Sequence, residues 1–295
     1  MIELSDEKWT PQVTVIGIGE LGVRVLLKLS KKQREELNLC AIVSDKTQLV
    51  GQEDQFSAFY VGDACFMGQQ SDLFQMIRKG AMFLIVADTS DMFSGRAVSA
   101  ITSAGQDMVS FALFMTADDN QGHSDYINQT RTLYMTPKVL RRQCELQTGL
   151  FEDEFDVLAE IALEMATMPF HNLIGFDGVD MQEAFSRPGK MTAVFGRGNT
   201  SEDAVDNLLL AAEKLGVDLR QCELAVFSMS GASNRLSLYD VNEAPELMAK
   251  KMGRDLDSLS GDSMTLLSAP LDDSLGNKLK IFAVFCERKR EKESS

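Results

Sequence analysis

The first half of the chain alternates short apolar runs with polar, helix-like segments. Val13 to Ile16, Leu39 to Val43, Phe83 to Ala87 and Val109 to Met115 have strand length, and Phe56 to Val61 and Leu133 to Met135 add shorter candidates. Helix-like stretches run from the first strand to about Arg34, from Arg96 to Thr102 and from Lys138 to Gln147. This alternation predicts a parallel sheet wrapped by helices. From Glu152 to Met168, Phe155, Leu158, Ile161, Ala162 and Met165 share one face of a long helix that Pro169 ends. That helix is expected to separate two lobes. Beyond it the pattern predicts a helix near Met181 to Phe185, a strand at Thr192 to Phe195 and a helix at Glu202 to Leu215 with Ser201 as its N-cap. A strand at Cys222 to Ser228, a helix at Ala244 to Met252 and strands at Ser263 to Ser268 and Leu279 to Phe285 complete an α+β half. The expected organisation is a nucleotide-type domain over 10–168 that includes the long helix, a smaller α+β domain over 169–287 and a charged tail over 288–295.

Charge narrows the partners. Over 295 residues, 29 basic and 44 acidic side chains give a net charge of −15, which disfavours nucleic acid or an anionic membrane as the main target. Five scattered cysteines without a Cys-x-x-Cys pair read as free thiols of a reducing compartment, so a cytoplasmic location is expected. The two histidines, His123 and His171, have no partner at metal-ligand spacing, so no metal site is expected from them. No apolar run approaches the ~20 residues of a bilayer span, and direct membrane insertion is not expected. The chain also ends soon after its last strand, which argues against recruitment through a long terminal linker.

The most specific local pattern is Val13-Thr14-Val15-Ile16-Gly17-Ile18-Gly19-Glu20-Leu21-Gly22, a strand running into Gly-x-Gly-x-x-Gly and then a helix. Gly17, Gly19 and Gly22 allow close backbone approach to a phosphate, and the helix start offers free N–H groups and a positive dipole end. A tight turn without a ligand satisfies the same pattern. A Rossmann-type dinucleotide site is another reading, with Asp45 holding a ribose hydroxyl, although nothing downstream supplies a hydride-transfer centre.

Four further blocks in order give the chain a resemblance to the tubulin/FtsZ superfamily, and to FtsZ more than eukaryotic tubulin. They are Ala41 to Leu49, Leu173 to Asp180, Gly196-Arg197-Gly198 with Ser201-Glu202-Asp203-Ala204, and Ser268 to Asp273 leading to Lys278-Leu279-Lys280-Ile281. The resemblance implies an α/β tubulin/FtsZ-like fold: a parallel-sheet nucleotide domain, a long central helix and a smaller α+β domain. It implies head-to-tail contact with itself or an FtsZ-type subunit, with GTP or GDP as cofactor and magnesium only where nucleotide binds. Asp177 and Asp180 would act on the neighbour's nucleotide, because phosphoryl transfer needs a positioned water more than a covalent nucleophile. Asp177 as a helix cap and Asp180 as a first-turn acid are the plainer alternative.

The departures from the family pattern are concentrated at one end. The glycine-rich phosphate loop expected after the strand Phe83 to Ala87 reads Asp88-Thr89-Ser90-Asp91-Met92-Phe93-Ser94-Gly95-Arg96. Its bulk and its carboxylates oppose a polyphosphate. Arg24 stands where the family places a base-contacting asparagine, and Phe155 replaces the base-reading asparagine just before Asp156. Phe151 falls where FtsZ stacks a phenylalanine on guanine, and Arg24 is also suited to a phosphate. The expected function is therefore an FtsZ-like cytoskeletal or filament-associated protein with a degenerate GTP site and weak or absent GTPase activity. A polymerising GTPase with an unusual pocket is the alternative.

Overall fold

The computed structural model describes residues 13–31, 37–49, 51, 55–61, 82–104, 109–115, 131–147, 149–168, 180, 183–185, 190–261 and 265–287. Six parallel strands form the first sheet in the order β3-β2-β1-β4-β5-β6, where β1 is Val13–Ile18, β2 Leu37–Val43, β3 Ser57–Tyr60, β4 Met82–Asp88, β5 Val109–Met115 and β6 Arg131–Met135. Every residue of β1 is buried, as expected for a central strand covered on both faces. β1 pairs Val13 with Leu37 on one side and with Met82 on the other.

Helix α1 (Gly19–Ser30) follows β1, α2 (Met92–Ala104) follows β4, and α3 (Pro137–Leu146) follows β6. The long helix α4 (Glu154–Thr167) is buried from Val157 to Thr167 and packs on α1, β1 and β4. Asp153 caps it, its Oδ1 accepting from the Asp156 amide at 2.9 Å.

The second sheet has the order β7-β10-β8-β9, from β7 (Lys190–Gly198), β8 (Cys222–Gly231), β9 (Leu266–Ser268) and β10 (Leu279–Glu287). β10 runs antiparallel to β7 and β8, and β8 is parallel to β9. Helices α5 (Ser201–Lys214), α6 (Leu238–Lys251) and α7 (Leu256–Ser260) accompany this sheet. Phe227 and Phe285 are fully buried in its own core, whereas Phe195 and Phe282 are buried on the face that packs with the long helix.

Two polar devices join the sheets. Gln143 of α3 and Gln147, which caps its C-terminus, donate through Nε2 to the carbonyls of Ala193 and Phe195, at 2.6 and 2.7 Å. One helical turn rises about as far as two strand residues, so side chains at i and i+4 reach alternate carbonyls of edge strand β7. Asn207 serves the Arg197 carbonyl at 2.8 Å, so three successive alternate carbonyls are answered by side-chain amides. This covers an edge that would otherwise invite strand pairing. Deeper in, Lys280 Nζ meets Glu160 at 2.5 Å and Glu164 at 2.7 Å, and Ser228 Oγ donates to Glu164 at 3.2 Å. Burial opposes the Lys280 charge, but the two carboxylates outweigh it and hold the ammonium above its ordinary range.

At three helix starts capping corrects the sequence reading. α2 begins at Met92 rather than Arg96, because Asp91 caps it. The N-cap of α5 is Thr200, whose Oγ1 accepts from Asp203 N at 3.1 Å; Ser201 is instead a buried first-turn residue that donates to Asp240. α6 begins at Leu238 rather than Ala244, with Pro245 inside it, because Ser237 and Asp240 form a reciprocal capping box.

Candidate functional site

In a parallel sheet the loops after the strands gather at one edge, where ligands of α/β proteins bind. The turn after β1 brings Gly17 and Gly22 into backbone contact. A Cβ on Gly17 would lie 2.5 Å from the Gly22 carbonyl oxygen, and one on Gly22 would lie 2.3 Å from the Gly17 carbonyl carbon. Gly19 has φ +67°, a conformation that disfavours other residues. Local packing therefore requires these glycines whether or not a phosphate binds. The first residue before α1, Ile18, offers no side-chain cap, so the amides at this helix start are left to other acceptors.

The neighbouring turn, after β4, is built the other way. Asp88 Oδ1 accepts from the Ser90 amide at 2.8 Å and from Ser90 Oγ at 2.6 Å. Asp91 Oδ1 accepts from Phe93 N at 3.2 Å, and its Oδ2 from Ser94 N at 3.1 Å and Ser94 Oγ at 2.7 Å. The helix-start amides that would receive an anion are thus answered by the chain's own carboxylate. Ser94 Oγ and Asp91 Oδ2 lie 3.1 and 3.5 Å from where a Gly19 Cβ would stand, so the two turns face each other. Met92 is 72 % exposed at the same place. The amides of Phe93 and Ser94 at the start of α2 are thus already engaged by Asp91.

The α1–α4 seam holds the next group. Arg24 pairs with Glu20 at 2.5 Å and lies over the Phe155 ring, 5.0 Å from its centroid. The two side chains that replace base-contacting residues of the resemblance thus contact each other. Asp156 accepts from the Glu152 amide at 2.9 Å and pairs with Lys28 at 3.0 Å; Lys28 also reaches Asp153 at 3.1 Å. Burial works against the Lys28 charge, but these carboxylates raise its proton affinity well above the ordinary lysine value. Phe151 is 9 % exposed, with its ring edge-on to Phe195 at 5.3 Å, so its aromatic face is spent in the core.

Asp45 lies exposed beyond β2, and the Thr47 amide that donates to it at 2.8 Å holds its carboxyl below the usual range. Asp180 is half-buried and helical, whereas Asp177 lies outside the described residues. The structure thus brings Gly17, Gly19 and Gly22 together with Asp91 and Ser94, and Arg24 and Asp156 together with Phe155 and Lys28. Lys28 was missed by motif reading, although its position one turn beyond Arg24 places it on the same helical face. Among the described residues no group of His, Cys, Asp and Glu is arranged to hold a metal ion.

No family model and no curated protein matches the sequence. Solved structures do match. An FtsZ dimer of M. jannaschii superposes with a TM-score of 0.72 at 15% identity, over 94% of this chain and 88% of that one. CetZ from Methanosaeta thermophila gives a TM-score of 0.65 at 12% identity, over 95% and 87% of the two chains. The chain has a tubulin/FtsZ-like fold. TubZ of Bacillus thuringiensis serovar israelensis, in a GTPγS-form protofilament, has the same fold with a TM-score of 0.58 at 11% identity, over 94% and 87% of the chains. The tubulin/FtsZ-like fold accounts for both sheets and the helix between them, where a lone dinucleotide-binding unit accounts only for the first.

Proposed function

We propose that this chain is a cytoskeletal or filament-associated protein of the FtsZ type whose own guanine-nucleotide seat is degenerate. The observation that carries this reading is Asp91, whose carboxylate takes the amides at the start of α2 and faces the glycine turn. A nucleotide phosphate placed there would displace the cap and meet its negative charge, costing about 1 kcal/mol in a wet site and several in a dry one. The Arg24–Phe155 contact supports the same reading on the base side. The structures it resembles include an FtsZ dimer and TubZ protofilaments, which supports self-association, head to tail or with an FtsZ-type subunit. In such a stack Asp177 and Asp180 would be the carboxylates offered to the neighbour. No described helix is long and apolar enough to cross a membrane, in keeping with a cytoplasmic role.

Titration calorimetry with GTP and GDP in magnesium buffer, together with a phosphate-release assay, tests the proposal. Absent or millimolar binding is expected; micromolar affinity with steady turnover overturns it. A second reading, a polymerising GTPase with an unusual pocket, is supported by the uncapped start of α1 and the intact Gly17–Gly22 contact. Pelleting that requires GTP favours that reading, and pelleting indifferent to nucleotide favours the first.

A further inference from the structure

Against its net charge of −15, the chain carries a band of uncompensated cations. Two clefts of about 540 and 580 Å³ adjoin along α3 and α5 and share Lys214. The first has an apolar floor of Leu146, Leu150, Leu210 and Ala211, with Arg197 and Lys278 beside Lys214. The second, on the outer face of α3, holds Lys138, Arg141 and Arg142.

Arg141 and Arg142 are balanced at 2.9 Å by Glu154 and Glu145 respectively. Lys138, Arg197, Lys214 and Lys278 have no ion pair among the described residues, and the buried Nε of Arg197 has no hydrogen-bond partner. Leu210, in the floor, is 48 % exposed. Lys28, Lys251 and Lys280, by contrast, each meet two or more carboxylates; what marks the two adjoining clefts is that four unpaired cations gather along them. Apolar floor and unpaired cations together define a surface complementary to an acidic segment with an aliphatic or aromatic anchor.

We infer that these clefts form a docking groove for an acidic peptide segment of a partner protein. Its anchor side chain sits on Leu146, Leu150 and Leu210, and its carboxylates meet Lys214, Lys278 and Lys138. A nucleic acid fits less well, because no aromatic residue lines either cleft to stack a base, whereas the leucine floor suits an apolar side chain. This inference is independent of the nucleotide site.

Fluorescence anisotropy on the full chain tests it, with a labelled peptide of glutamates interspersed with leucines, a glutamate-only peptide and oligothymidylate as probes. The leucine-containing peptide is expected to bind most tightly, and to weaken as salt shortens the Debye length. Lys214→Glu should weaken it roughly tenfold, while Lys190→Glu, an equal charge change at the opposite end of β7, should leave it unchanged. Circular dichroism checks that both variants remain folded. The inference is overturned by no peptide binding, by equal loss in both variants or by tighter binding of oligothymidylate. It is also overturned if sedimentation shows a self-associated form that Lys214→Glu dissolves and the peptide does not displace, since the occupant is then a second copy.

Discussion

The turns after β1 and β4 leave neighbouring strands of one sheet at the same edge, yet they treat their helix starts in opposite ways. After β1, three glycines fold the backbone tightly and α1 begins without a side-chain cap. After β4, Asp88 and Asp91 fold the turn and Asp91 caps α2. A helix start presents the same unsatisfied amides in either case. What differs is whether the chain leaves them for an external anion or answers them itself. Two turns at one sheet edge can therefore share an architecture and still differ in whether their helix-start amides are left open.

The harshest way to break the comparison is Gly22→Val. Its Cβ would meet the Gly17 carbonyl carbon at 2.3 Å and the Val86 carbonyl oxygen at 3.0 Å, both backbone atoms. A loss of about 3 kcal/mol or more is expected from urea unfolding. A wild-type midpoint would show that the turn does not depend on glycine. Asp91→Ala is milder and more informative: removing the cap should cost about 1–2 kcal/mol. The freed amides should also raise affinity for inorganic phosphate or GTP, read by calorimetry. If stability falls while anion binding stays unchanged, self-capping is not what closes this site.

A third helix start provides a reference away from both turns. Burial pushes the Asp240 carboxyl upward, but hydrogen bonds from Ser237 and Ser201 and the charge of Arg235 hold it below the ordinary aspartate value. A lowered folded-state pKa gives stability that is present above the unfolded value, about 3.9, and lost as pH falls through the folded one. Asp240→Asn should therefore cost about 1 kcal/mol near neutrality. Its difference from wild type should shrink in urea melts near pH 3. The smallest effect belongs to Arg24→Ala, whose exposed pair with Glu20 and contact with Phe155 amount to about 0.5 kcal/mol. Thermal unfolding should move by only a degree or two, while any nucleotide affinity that depends on Arg24 would change more.

Much of the architecture was legible in the sequence because its signals are local. The apolar run Val13 to Ile16 reads as a strand without further context, although its central place and its extension to Ile18 come from the pairing, and Glu-Phe-Asp-Val-Leu after Asp153 reads as the start of an amphipathic helix. Capping was less legible. Thr200 and Ser201 are adjacent hydroxyls, and only the approach of Asp240 from α6 shows that Ser201 is spent elsewhere. Pro245 looks like a helix beginning until the Ser237–Asp240 box is seen to start the helix upstream. At the site, the charges of Asp88 and Asp91 were visible, but the amides they would engage were not.

The sequence by itself determined the parallel sheet, the long helix, the glycine turn and the glycine-poor, acidic second turn, because each depends on residue types within a few positions. Tertiary structure alone decided that Asp91 faces Gly19, that Phe155 lies under Arg24, and that Gln143 and Gln147 answer alternate carbonyls of β7. It also decided that Lys280 is held between Glu160 and Glu164. Those contacts join residues far apart in the chain, and a hydrogen bond or ion pair depends on distance and direction in space, which spacing along a sequence does not specify.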